Sequence, residues 1–244
     1  EMCIRDRSSK VKNKFKLIVL KILLVVVIVA GAAGISSGIG VMKGIIDSAP
    51  DISKIDVTPT GYSTTVLAAN GEETATLVGQ GANRQYVTID EIPLDLQHAF
   101  VAIEDERFYD HNGIDLHGIG RAFISGLSKG RFSEGASTIT QQLIKNNVLT
   151  SWTSETSFVE KLQRKIQEQY LALELEKQVN DKDWILENYM NSVNLGANTL
   201  GVQAASKKYF NKDVSELTLS EASVIAGITQ NPVSYTHLRA HETG

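Results

Sequence analysis

Residues 104–115 read EDERFYDHNGID, the densest run of charged and polar side chains in the chain. They follow Leu96, Phe100 and Ile103, which recur at helical spacing and mark one apolar face. A carboxylate placed where such a face ends borders a cleft instead of bulk solvent. Partial burial or a neighbouring acid there raises a glutamate's pKa and prepares it for proton transfer. Taken alone, the run reads equally well as a solvated helix-to-loop corner with N-capping acids. Outward from it the helical periodicity continues. Leu116, Ile119, Phe123 and Leu127, with Asp115 as N-cap, predict a second helix, and Ile139, Leu143 and Val148 a third. Leu162, Ile166, Tyr170 and Leu173 mark a long fourth, and Trp184, Ile185 and Tyr189 a fifth. Two more follow near residues 202–210 and 219–228. An all-α domain is therefore expected over residues 93–235, without internal repeats.

Upstream the pattern differs. Ile22 to Met42, ILLVVVIVAGAAGISSGIGVM, holds 21 residues without a charge. As a helix it spans roughly 32 Å, enough for a bilayer's hydrocarbon core. The shorter Leu/Val/Ile-rich part, 22–33, also has the length of the apolar region of a cleaved signal peptide, and as a third option the segment is a buried core helix. Residues 1–21 carry seven Lys/Arg against two acids, which predicts a cytoplasmic N-terminus with the remainder outside. Residues 43–92 read as a stalk, in which 64–69 and 73–78 flank the hairpin dipeptide Asn70-Gly71. The ends, 1–7 and 236–244, abandon the surrounding patterns and are read as added sequence, so Cys3, His237 and His241 receive no functional weight.

Composition narrows the function. The 244 residues are 42% hydrophobic and 21% charged, which suits a folded core. One cysteine excludes a disulfide framework and Cys-based zinc sites. The net charge of −4 divides into +5 for residues 1–21 and −9 for the rest, and an acidic body has no general affinity for nucleic acid. His98 and His117 lie at no ligand spacing. Two further polar blocks stand out. Residues 135–145, GASTITQQLIK, bring small hydroxylated residues into a helix whose free N–H groups suit phosphate, without the Gly-Lys-Ser/Thr of a P-loop. Thr138, Gln141 or Gln142, and Lys145 share a face there. On the long helix, Lys161, Arg164, Lys165 and Glu168 form a polar stripe. Its cations sit near the helix start, where the macrodipole disfavours them, and this points to an anionic partner. Lys145 with this stripe could hold a pyrophosphate, Arg164 offering a bidentate fork.

Together these blocks resemble the peptidoglycan glycosyltransferase family, the N-terminal domain of class A penicillin-binding proteins. Glu104-Asp105…Phe108…His111…Gly113-Ile114-Asp115, Gly135–Gln142 and Arg164-Lys165…Glu168 resemble its first three motifs in order. Residues 185–191 with 201–210 resemble the fourth, and 217–232 the fifth. Ala136 stands where a second glycine is common, and 193–199 lacks the usual aromatic. No Ser-x-x-Lys occurs after the uncharged segment, so covalent penicillin binding is not expected, and the chain reads as a piece of a two-domain protein.

The resemblance implies a lysozyme-like helical fold and inverting glycosyl transfer from a lipid-pyrophosphate-linked glycan to lipid II at the bacterial cytoplasmic membrane. It implies Glu104 as general base and Glu168 as the second essential acid. Asp105, Phe108, His111, Ser137, Thr138, Gln141, Gln142, Lys145, Arg164, Lys165 and Tyr189 would bind substrate or its pyrophosphate. It allows a divalent cation, Mg2+ or Mn2+, with Glu104 as ligand, and cell-wall synthesis proteins as partners. Two alternatives remain. A lysozyme-like glycan-cleaving enzyme also places one Glu in a cleft but has no use for the cations. A catalytically silent membrane scaffold would be signalled by loss of either glutamate.

Overall fold

The computed structural model describes residues 2–54, 56–77, 84–129, 135–150, 154–196 and 199–230. Pro232, His237, His241 and the rest of the 236–244 tail lie outside the described residues. The chain divides into two compact units, 1–49 and 50–244. The first is one helix, α1 (Met2–Asp47), of 46 residues. Its segment Phe15–Asp47 is long and apolar enough to cross a membrane, and its side chains from Phe15 to Met42 are exposed. The helix thus runs past Met42, where the uncharged segment ends, by a further turn.

The second unit opens with a hairpin of β1 (Thr64–Leu67) and β2 (Glu73–Leu77), antiparallel with Thr64 opposite Leu77 and an irregularity between Val66 and Leu67. Its turn uses Gly71 at a φ of 85°, with Asn70 Oδ1 accepting the Glu72 N–H at 3.1 Å. The residues around this hairpin are not a detached stalk. Val57, Val87 and Ile92 are buried, and Asn191 exchanges two hydrogen bonds with Val87, at 2.8 and 3.0 Å. Asn147 donates to the Val57 carbonyl at 3.0 Å. The helical body therefore incorporates the residues on either side of the hairpin, well before residue 93.

Among the described residues seven α-helices follow: α2 (Leu94–Glu104), α3 (Leu116–Lys129), α4 (Ile139–Asn147), α5 (Phe158–Val179), α6 (Lys182–Ser192), α7 (Val202–Phe210) and α8 (Leu219–Ile228). Their ends are capped as the sequence demands. Ser157 with Glu160 and Thr218 with Glu221 form capping boxes, while Thr138 and Asp181 cap α4 and α6. Asn180 and Asn211 take the left-handed conformation that closes α5 and α7. α4 packs on both α5 and α6, and α2 packs on α8. Phe100 of α2 meets Tyr189 of α6 edge to face, with centroids 6.1 Å apart, and both rings are fully buried.

Two helices turn differently from their apolar spacing. Leu116, Phe123, Ile124 and Leu127 of α3 are exposed, so its apolar face is not spent on the core. On α5 the buried residues are Gln167, Glu168, Leu171, Ala172, Leu175 and Glu176, while Leu162 and Leu173 are exposed. The core face of α5 is rotated toward its polar stripe because Glu168 and Glu176 find internal partners there.

Gly113 is the tightest joint. Its φ is 83°, and a Cβ would lie 2.7 Å from the carbonyl oxygen of Ala172 in α5. An alanine faces both the left-handed backbone and a collision with backbone atoms that cannot rotate away. Gly113→Ala should destabilise the body by about 2–4 kcal/mol, read from denaturant midpoints at unchanged m-value. A loss below about 0.5 kcal/mol, the level of a surface substitution, would show that this joint is loose.

Candidate active site

α2 ends in two consecutive carboxylates that do opposite things. Asp105 is buried; its Oδ2 accepts the Ile139 N–H at the start of α4 at 3.0 Å, and His111 Nε2 lies 2.9 Å from its Oδ1. Donation from Nε2 leaves His111 Nδ1 buried without a partner. Glu104 is half-buried and borders a polar cavity of about 260 Å³ shared with Arg107, Arg121 and Ser137. Its Oε2 accepts from Gln142 Nε2 at 2.8 Å and its Oε1 from Gln230 Nε2 at 3.2 Å. An amide nitrogen can only donate, so both carboxylate oxygens act as acceptors here.

The entry to α4 is pinned from below. Thr138 Oγ1 donates to the Gly113 carbonyl at 2.8 Å and accepts the Gln141 N–H at 3.2 Å. Gln141 Nε2 reaches the same carbonyl at 3.1 Å. From α5, Lys165 Nζ contacts Ser137 Oγ at 2.6 Å, Gln141 Oε1 at 3.1 Å and Glu168 Oε2 at 3.0 Å. Arg164 holds the other oxygen of Glu168 and both oxygens of Glu155, the latter at 2.9 Å. Glu168 is fully internal, a buried carboxylate neutralised by two cations. Lys145 is half-buried, and burial lowers its pKa. Glu168 opposes that effect, Arg164 and Lys165 add to it, and Glu104 opposes it again, which puts Lys145 within electrostatic reach of all four. A partly desolvated ammonium of this kind regains favourable electrostatics when an anion approaches.

The residues singled out in the sequence therefore converge, in two roles. Glu104, Ser137, Gln142, Lys145, Arg164 and Lys165 keep exposed surface. Asp105, Phe108, Thr138, Gln141 and Tyr189 are buried and His111 nearly so, each packed against or hydrogen-bonded to protein groups behind the exposed set. Phe108 packs under Lys182, whose ammonium lies 4.5 Å from the ring centroid, donates to the His111 carbonyl and pairs with Glu176. Lys182, Glu176, Glu155 and Gln230 carry no such signal in the sequence; only Gln230 falls within a recognised block, with nothing in its spacing to link it to Glu104. Among the described residues no three His, Cys, Asp or Glu side chains cluster as a metal site. Glu104 is a single carboxylate with both oxygens engaged, so the residues present do not fit a resident divalent cation.

A carboxylate with both oxygens engaged by amide donors beside a half-open cavity, with cations within reach and a helical frame behind it, is an arrangement that suits group transfer. The chain belongs to the transglycosylase family, whose family model matches residues 70–244. It is 40% identical over 237 residues to penicillin-binding protein 1A of Clostridium botulinum, covering 95% of this chain and 27% of that protein. It is 43% identical over 174 residues to penicillin-binding protein 1F of Bacillus subtilis, covering 71% and 23%. With penicillin-binding protein 1A of Clostridium perfringens it shares 50% identity over 160 residues, covering 64% and 22%. The chain spans about a quarter of the length of these relatives.

At the cavity wall, Arg107 hydrogen-bonds Asp115 and holds its carboxyl down at about 2, assisted by the Gly118 N–H and opposed by burial. A depressed carboxyl stabilises the fold above its unfolded value of roughly 3.9 and loses that contribution as pH falls toward 2. Arg107→Met should let Asp115 titrate near the ordinary carboxylate value, followed by carboxyl NMR. An unmoved midpoint would mean that the Gly118 N–H alone sets it.

Proposed function

We propose that the chain is a peptidoglycan glycosyltransferase that polymerises lipid II into glycan strands. The observation that carries this reading is Glu104, with both carboxylate oxygens receiving amide N–H groups and Lys145 within electrostatic reach. Glu104 takes the proton from the acceptor sugar's 4-hydroxyl. That oxygen bonds to the donor's anomeric carbon with inversion, while the bond to the lipid pyrophosphate breaks and its electron pair leaves with the phosphate. Negative charge grows on the leaving group, where Lys145, Arg164, Lys165 and Ser137 stabilise it. Glu168 keeps Arg164 and Lys165 aligned until substrate phosphates share them. Cleavage of an uncharged glycosidic bond would give this cation group no task, and a silent scaffold would not need both acids.

The substrates of this reaction are lipid-linked, and α1 offers a tether in the same membrane, with the basic N-terminus cytoplasmic and the body outside. The exposed apolar face of α3 suits the same lipid surface. Growing glycan and proteins of the cell-wall machinery are the partners this reading implies. A divalent cation would have to draw most of its ligands from substrate phosphates.

In lipid II polymerisation assays, Glu104→Gln should lower kcat by about 10²–10⁴-fold with the melting temperature unchanged. Lys145→Ala should cost about 10²–10³-fold, and parental rates in either variant would remove the role given to that residue. For the lipid contact, a fluorophore on Ile124→Cys, in a Cys3→Ser background, should be quenched by brominated acyl chains in vesicles. A probe at exposed Glu216 serves as the reference, and equal quenching at both positions would overturn the α3 contact.

A further inference from the structure

The two adjacent glutamines of α4 serve different ends of the site. Gln141 gives its amide nitrogen to the Gly113 carbonyl and its oxygen to Lys165. Gln142 gives its nitrogen to Glu104, and its Oε1 lies 3.3 Å from the hydroxyl of Tyr189. That hydroxyl has one hydrogen, and Gln142 Oε1 can only accept, so the hydrogen lies between them. Turning the Gln142 amide over would set its oxygen against the Glu104 carboxylate, acceptor on acceptor. Tyr189 itself cannot move aside. Its ring is fully buried and stacked edge to face on Phe100.

We propose that Tyr189 is a positioning residue for Glu104, acting through the Gln142 side-chain amide whose orientation it fixes. The inference rests on Glu104 being the general base. Burial foremost, then the charges of Glu104 and Asp105, pushes the Tyr189 pKa well above the ordinary range, so the hydroxyl keeps its proton at neutral pH. The other groups around Glu104 do not substitute for it. Gln230 holds the opposite oxygen, Asp105 is engaged with Ile139 and His111, and Lys145, a donor only, cannot fix which way the Gln142 amide faces. With the tyrosine hydroxyl removed, the amide is free to turn, and the carboxylate loses a fixed donor on one oxygen while its contacts to substrate stay as they were.

The test is a double-mutant cycle on the full chain, with lipid II as substrate and Glu104→Gln run alongside. Tyr189→Phe should lower kcat about tenfold at unchanged KM, the loss of one hydrogen bond's worth of alignment. Gln142→Met should produce a loss at least as large, and in that background Tyr189→Phe should cost nothing more, because the amide it orients is gone. Unchanged kcat in Tyr189→Phe, or the same fold loss with and without Gln142, would overturn the proposal. A rise in KM matching the fall in kcat would assign Tyr189 to packing and overturn it too. If Glu104→Gln itself polymerises at the parental rate, the base assignment fails first and the proposal falls with it. Melting temperatures within a few degrees of the parent qualify each variant, and Gln142→Met keeps the cycle informative should the phenylalanine pack differently.

Discussion

A buried carboxylate is costly unless its oxygens are hydrogen-bonded, and Asp105 meets that condition by reaching across two elements. One oxygen satisfies a free N–H at the start of α4, where the helix dipole welcomes negative charge, and the carboxylate also takes His111 from the loop that follows α2. The end of one helix, the start of another and the turn between them are thereby set in a single geometry. Everything chemical hangs on that geometry. Glu104 directly precedes Asp105, and Gln142 and Lys145 lie one and two turns into the helix whose first N–H Asp105 accepts.

The same logic extends into the charged network. Lys165 and Arg164 are not waiting bare for an anion; they are held by Glu168, and Arg164 by Glu155 as well. Removing one partner of such a buried set leaves an uncompensated charge, which costs far more than the pair contributes. The arrangement keeps two cations aligned beside α4 at little net charge. For Lys145, burial weakens its hold on its proton, and the opposing pull of Glu168 and Glu104 does not fully offset that.

Much of this was legible in the sequence, and the rest was not for identifiable reasons. The long uncharged segment, the Asn70-Gly71 hairpin and the helices after Pro93 all rest on local signals of spacing, turn chemistry and capping. The ordered blocks around Glu104, Gly135–Gln142 and Arg164–Glu168 were specific enough to indicate the family. Periodicity, however, says which residues share a face and not what covers it. Leu116, Phe123 and Leu127 therefore share an apolar face and are nonetheless exposed, while Glu168 belongs to a polar stripe and is buried. Burial of Asp105, Phe108 and Tyr189 depends on neighbours brought in by other helices. The contact of Gln230 with Glu104 joins residues 126 positions apart, a separation over which no local rule operates.

That separation has a consequence for the birth of the molecule. A chain made from its N-terminus exposes Glu104 long before Gln230 exists; at ordinary translation speeds of ~5–20 residues per second, 126 residues correspond to about 6–25 s. Contacts so distant along the chain also close late in folding. The nascent protein thus passes through a period in which its carboxylate has emerged but lacks the donor from beyond α8. The second donor to Glu104 is in place only once the residues after α8 have been made and packed, so a copy stopped short of them holds the carboxylate by one oxygen alone.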